Sequence, residues 1–249
     1  MMPPKVVFFF LAILPFSNWV WGAENYKVGD TLYVWARSGL NIRTEASVRG
    51  KKLGKLEAGE ALMVIETTNR AYQVRAIDSV EEDGTPLILT GTWIKVKAGQ
   101  FEGYVIDTYL LKYPPNLKGG LSGFMQSFQS EPIEEVLEYY EGCESGDSTD
   151  CYSVNAVAKN GMVYSLESYY VGTDESLTIP GLTVEEGFVL LNFFFPLEDA
   201  NLRKKGYSTL AVMSNSDNEI WLSGEEGMCE YSISVQENGM ILVFHGCSC

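Results

Sequence analysis

"GLNIRTEAS", residues 39–47, commits this part of the chain to a sheet. Leu40 and Ile42 alternate with Asn41 and Arg43. A strand sends successive side chains to opposite faces, so the apolar pair enters a core while the polar pair meets water. The same period of two extends outward on both sides. "TLYVWAR" (31–37), "ALMVIE" (61–66), "YQVRAI" (72–77), "LILTGTWIKV" (87–96) and "GYVI" (103–106) are rich in β-branched and aromatic residues, with glycine-rich turns between them. No stretch between Tyr26 and Tyr113 carries a convincing helical period. Short strands this closely spaced predict a small β-barrel over residues 24–113.

Leu40-Asn41-Ile42-Arg43, Leu53-Gly54, Gly59, Val64, Trp93-Ile94-Lys95-Val96, Gly103-Tyr104-Val105 and Tyr109-Leu110 follow one another in an order that resembles the bacterial SH3 domain family (SH3b). The resemblance implies an SH3-like barrel without catalytic machinery. Such modules occur on exported proteins that bind peptidoglycan, peptides or other proteins. Gly59 and Gly103 stand where tight turns permit positive φ. The chain departs from the family between Glu66 and Trp93, where residues 67–92 add about a hairpin's length. Aromatic side chains on the outside of so small a barrel can form a shallow contact patch, and Tyr72, Trp93, Tyr104 and Tyr109 are the candidates. Each also competes for a place in the core, Trp93 above all.

The residues preceding the barrel carry one lysine, an apolar run from Val6 to about Val20, and then small residues. That is the layout of a secretory signal peptide over residues 1–23, cleaved after Gly22 or after Ala23. An exported, periplasmic or secreted protein is expected, with no integral membrane segment once the leader is removed. Residues 24–115 hold twelve Lys+Arg and twelve Asp+Glu, whereas residues 116–249 hold five against twenty-one. The second half is therefore strongly acidic, which excludes nucleic acid and anionic lipid as partners. The expected ligand is peptidoglycan or a protein or peptide, met by the neutral barrel.

"YPPNLKGGLSG" (113–123) reads as a linker, residues 114–123, leading to an acidic, cysteine-containing α+β domain over 124–249. Ile133, Val136, Leu137 and Tyr140 fall on one helical face, with Pro132 before them and Gly142 after. A hairpin turns at Asn160-Gly161. Thr183 and Glu186 form a capping box that opens a second helix, closed by Pro196 and apolar enough to be the buried centre of the domain. Strands at about 208–213, 218–223, 228–236 and 240–246 complete an antiparallel sheet. The fold class is mostly β, an SH3-like barrel followed by an α+β domain with two helices.

All five cysteines, at 143, 151, 229, 247 and 249, lie in this half. In an exported chain they are read first as disulfides. "CEYSISVQENGMILVFHGC" (229–247) is a hairpin. If Glu237-Asn238-Gly239 is a three-residue loop with Gly239 left-handed, Val235 faces Ile241, Ile233 faces Val243, Tyr231 faces His245 and Cys229 faces Cys247. A two-residue loop would instead set Ser248 opposite Cys229. Cys143 and Cys151 would close the acidic loop between them. Asp147 and Asp150 in that loop lack the regular ligand spacing of a calcium site, and no metal or cofactor is expected.

His245-Gly246-Cys247 is similar to the nucleophile motif of the L,D-transpeptidases of bacterial walls. A cysteine nucleophile needs a base, and the base needs an orienting partner. His245 is the sole histidine of the chain, and Phe244 stands where the motif has Ser or Thr. Cys151, in "DCYSV", faintly resembles the cysteine of papain-like wall endopeptidases, but Tyr152 replaces the serine and a strand-like run follows. The expectation is a non-catalytic protein. The alternative is a cysteine-dependent wall enzyme using Cys247 and His245, or Cys151.

Overall fold

The computed structural model describes residues 26–77, 86–116, 119–127, 134–139, 151–169, 172–195, 197, 211–224 and 229–248. The leader, Cys143, Asp147, Asp150 and Cys249 lie outside the described residues.

The first half is a curled antiparallel sheet of seven strands: β1 (Thr31–Val34), β2 (Leu40–Arg43), β3 (Lys52–Leu56), β4 (Ala61–Ile77), β5 (Leu87–Ala98), β6 (Phe101–Ile106) and β7 (Leu110–Leu111). Their order is β3-β2-β6-β5-β4-β1-β7. Leu40 and Ile42 are buried while Asn41 and Arg43 are partly exposed, as the alternation requires. Gly59 takes a φ of +83°, which its turn needs. Gly103 is a correction. It is not among the positive-φ glycines, and its requirement is close approach: a Cβ there would stand 2.5 Å from the Arg43 carbonyl oxygen. The added residues lengthen β4 and β5 into a two-stranded arm whose far end, Ala76, Ile77, Leu87 and Leu89, is buried.

The second half is an eight-stranded sheet: β8 (Glu134–Tyr139), β9 (Tyr152–Val157), β10 (Val163–Tyr169), β11 (Gly172–Ile179), β12 (Ala211–Ser216), β13 (Glu219–Ser223), β14 (Cys229–Val235) and β15 (Ile241–Ser248). It runs β12-β13-β14-β15-β11-β10-β9-β8, and each neighbouring pair in it is antiparallel. The helix α2 (Val184–Phe194) lies on one face, which we term inner. Its start is the capping box: Glu186 N–H donates to Thr183 Oγ1 (3.2 Å) and Thr183 N–H to Glu186 Oε2 (2.9 Å). A Cβ on Gly187 would come within 2.6 Å of Ile233 Cγ2, so helix and sheet meet backbone to side chain here.

Two elements differ from the sequence reading. The segment 134–139 is not a helix but strand β8, paired with β9 from Glu134↔Val157 to Tyr139↔Tyr152. A helix of two turns is marginal alone, whereas β9 offers a complete ladder of hydrogen bonds. The other helix is α1 (Gly120–Ser127), which begins inside the segment read as a linker. Leu121, Phe124 and Met125 share one buried face of it. The glycines at 119, 120 and 123 hide that periodicity in the sequence. Val235, expected on the buried face of its hairpin, is 40% exposed at the strand's end.

The barrel has its own core of Leu32, Val34, Ile42, Leu56, Val64 and Val96, among others. A larger core is shared by both halves. Trp35 sits in it, edge-on to Phe124, Phe193 and Phe194 at centroid distances of 5.3, 5.0 and 6.1 Å. Its indole N–H donates to the Tyr113 carbonyl (2.7 Å), and Arg37 Nη1 donates to the Phe193 carbonyl (2.9 Å). Trp35→Ala removes the indole from this junction and is expected to cost about 3–5 kcal/mol in urea unfolding. Trp221→Ala, at a position 37% exposed, is expected to cost about 1 kcal/mol or less in the same measurement.

Candidate functional site

Cross-strand register builds a polar row on the outside of the barrel. Glu66 of β4 pairs with Lys95 of β5, Lys95 with Tyr104 of β6, and Tyr104 with Arg43 of β2. Lys95 Nζ lies 2.7 Å from Glu102 Oε1, and Arg43 Nη1 donates to the Gly50 carbonyl (2.8 Å). The Lys95–Glu102 hydrogen bond is the main reason the Lys95 ammonium is held above its ordinary range and the Glu102 carboxylate below its own.

Above this row β4 bulges. Thr67 pairs with Ile94 and Ala71 with Thr92, so Thr68, Asn69 and Arg70 stand against Trp93 alone. Thr68 fixes the bulge: its hydroxyl donates to the Trp93 carbonyl (2.6 Å) and accepts the Arg70 N–H (3.1 Å). Bulges bend a strand and re-aim its side chains. Here the bulge walls a groove of about 610 Å³, with Thr44, Glu45 and Ala46 on the other side, where Glu66 and Tyr104 also contribute. The groove thus offers an aromatic ring, an arginine, an amide, hydroxyls and two carboxylates.

Residues 38–111 match the bacterial SH3 domain family. No curated protein and no solved structure matches the chain. The matched span covers strands β2 to β7 of the barrel, and nothing is recognised in the acidic half. Trp35, Arg37 and Tyr113, which tie the halves together, flank the matched span on either side.

The four aromatic candidates of the SH3 domain are dispersed. Tyr104 lines the groove. Tyr72, 37% exposed, stands just past the bulge with its ring centroid 6.1 Å from that of Trp93. Trp93 is 4% exposed and belongs to the barrel core. Tyr109 packs against both cores at the junction of the halves. Sequence reading missed Asn69 and Arg70, because a bulge has no periodicity to announce it, and Glu45, because it lies in the loop after β2.

The hairpin at the chain's end has the three-residue-loop register. Cys229 faces Cys247, Tyr231 faces His245, and Gly239 has a φ of +78°. Cys229 and Cys247 form a disulfide. Cys151 is disulfide-bonded as well. His245 Nε2 lies 3.1 Å from Cys247 Sγ, and its ring stacks on Phe195 at 3.9 Å. Burial lowers the imidazole's affinity for a second proton, against a weaker opposing pull from Asp174. The ligand atoms of Cys229, His245 and Cys247 lie within 4.8 Å of one another, but both sulfurs are joined to each other. In this state the pair offers neither a thiolate nucleophile nor a thiolate ligand.

A buried acidic cluster lies at the junction, unannounced by any motif. Asp107, in the turn after β6, accepts hydrogen bonds from the Tyr26 hydroxyl and from the Thr92 N–H (2.6 Å). A Cβ on Gly91 would stand 2.7 Å from Asp107 Oδ1, so glycine makes room for it. Burial pushes Asp107 up to about 7, against the hydrogen bonds that favour its ionised form. Glu186 is likewise pushed up to about 7, mainly by burial, with Asp107 and Glu185 adding to the rise and Lys112 opposing it. Burial and the Asp107 carboxylate also raise the Tyr26 phenol.

A carboxyl whose folded value exceeds its unfolded one holds its proton more tightly when folded. Its contribution is complete below the ordinary carboxylate range, declines as pH rises toward 7, and is gone above. The protein is therefore expected to be more stable at pH 5 than at pH 8, by roughly 1–3 kcal/mol. Asp107→Asn keeps an acceptor for Thr92 but does not titrate, and should flatten that slope in urea unfolding measured across pH.

Proposed function

We propose that this chain is an exported, non-catalytic binding protein whose SH3 domain recognises a peptide, of the cell wall or of a protein partner, in the groove over Tyr104. The groove carries the reading. It sets Arg70 and two carboxylates around one aromatic ring, a combination suited to a short peptide bearing both an amino and a carboxylate group. Arg70 would hold the carboxylate, Glu45 or Glu66 the amine, and Tyr104 the apolar part between them. Export is supported by the leader-like sequence and by the disulfides. The absence of catalysis is supported by the bonded state of Cys151, Cys229 and Cys247.

Binding of the mature protein to purified peptidoglycan and to soluble wall peptides tests the proposal. Tyr104→Ala and Arg70→Ala should each weaken binding about tenfold, and Tyr109→Phe by less than about twofold. Full affinity in Tyr104→Ala would remove the groove from the account. Rapid alkylation of Cys247 at neutral pH, together with release of peptide from the wall, would favour the cysteine enzyme instead.

A further inference from the structure

Among the described residues, helix α2 covers one face of the eight-stranded sheet, and the other face carries no described helix. Leu177, Ile220, Leu222, Ile233, Ile241 and Val243 point inward and are buried, several of them against α2. The opposite face carries Trp221, Leu242, Phe244, Val163 and Val157 across β13, β15, β10 and β9. Trp221, Val163 and Val157 are 37%, 38% and 51% exposed, while Leu242 and Phe244 are partly exposed. Serines and threonines fill the positions between them, so the face is apolar without being sealed.

Charge on this face is one-sided. None of the eight strands contains a lysine or arginine. Beside the apolar rows runs an acidic one: Glu230 of β14 pairs with Gly246, Gly246 with Asp174, and Asp174 with Glu167. Asp174 and Glu167 are directly opposed like charges, an arrangement that destabilises a sheet. A Cβ on Gly246 would lie 2.5 Å from Asp174 Oδ1 and 2.7 Å from Phe244 Cζ. Glycine at this position therefore lets an acidic and an apolar side chain sit side by side.

We propose that this outer face is a docking surface for an amphipathic helix of another protein, apolar on one side and lined with Lys or Arg along one edge. The apolar rows take the helix as the inner face takes α2. The acidic row takes the basic edge. Strands about 4.8 Å apart place Asp174 about 10 Å from the Glu230 row position and about 5 Å from Glu167. Helix positions i, i+7 and i+11 fall at about 10 and about 6 Å intervals along their axis, which matches. Anionic lipid and nucleic acid are repelled by the same row, and a lone cation would leave the apolar rows unused. This surface shares no residue with the groove of the SH3 domain.

The test uses the full mature chain and a fluorescent 15-residue helical peptide with leucine on one face and lysine at those three positions. Wild-type protein binds it. Glu167→Gln with Asp174→Asn weakens binding about tenfold at low salt and flattens the salt dependence. Trp221→Ser weakens it about fivefold and leaves the salt dependence intact. Glu57→Gln with Glu102→Gln, an equal charge change on the barrel, alters it by less than about twofold. The proposal is overturned if wild-type protein does not bind the peptide, or if the barrel pair weakens binding as much as the sheet pair. Equal binding of a lysine-to-glutamate peptide, or loss of binding in Tyr104→Ala, would overturn it too, the latter assigning the peptide to the groove.

Discussion

Trp35 is the side chain on which the arrangement of the two sheets depends. It leaves the end of β1 pointing away from the barrel core and enters the core of the acidic half among three phenylalanines. Its backbone N–H donates to the Tyr109 carbonyl (2.8 Å) and its indole N–H to that of Tyr113, so both polar groups are satisfied as the ring is buried. The far end of the β4–β5 arm, through Ile77, Leu87 and Leu89, packs into the same core. The length of the β4–β5 arm thus has two consequences. Its far end joins the barrel to the second sheet, and the bulge near its base walls the groove. None of the groove's lining residues belongs to the shared core.

The junction is also where the molecule holds titratable groups out of water. Asp107 comes from the barrel and Glu186 from the first turn of α2, where it already serves the capping box. Burial raises both carboxyls and Asp107 adds to the rise of Glu186, which favours at least one remaining protonated near neutrality. The seam between the halves is therefore sensitive to acidity through groups that take no part in the groove. Mild acid tightens the seam.

The barrel was legible because its signals are local. The alternation of Leu40 and Ile42, the ordered SH3b motifs and the turn glycine Gly59 each act over a few residues. The hairpin of Cys229 and Cys247 was legible for the same reason: the Asn238-Gly239 turn fixes the register, and the register fixes the cysteine pair. The capping box likewise located α2. What stayed hidden depends on partners far along the chain. Residues 134–139 fit a helical period and a strand equally well, and the open edge of β9 decided between them. The glycines around α1 masked a three-residue apolar face. Trp35 reads as one more aromatic in a strand until Phe124 and Phe193 surround it. Arg70 reads as an ordinary surface cation until the bulge turns it over the groove.

The central claim is that barrel and acidic sheet form one body through a common core, to which the groove contributes no lining residue. Differential scanning calorimetry of the mature protein tests this most directly, comparing wild type with Trp35→Ala. A shared core predicts one unfolding transition for the wild type, with calorimetric and van't Hoff enthalpies in agreement, separating into two in the variant. Two resolved transitions in the wild-type protein, unchanged by the loss of Trp35, would contradict it.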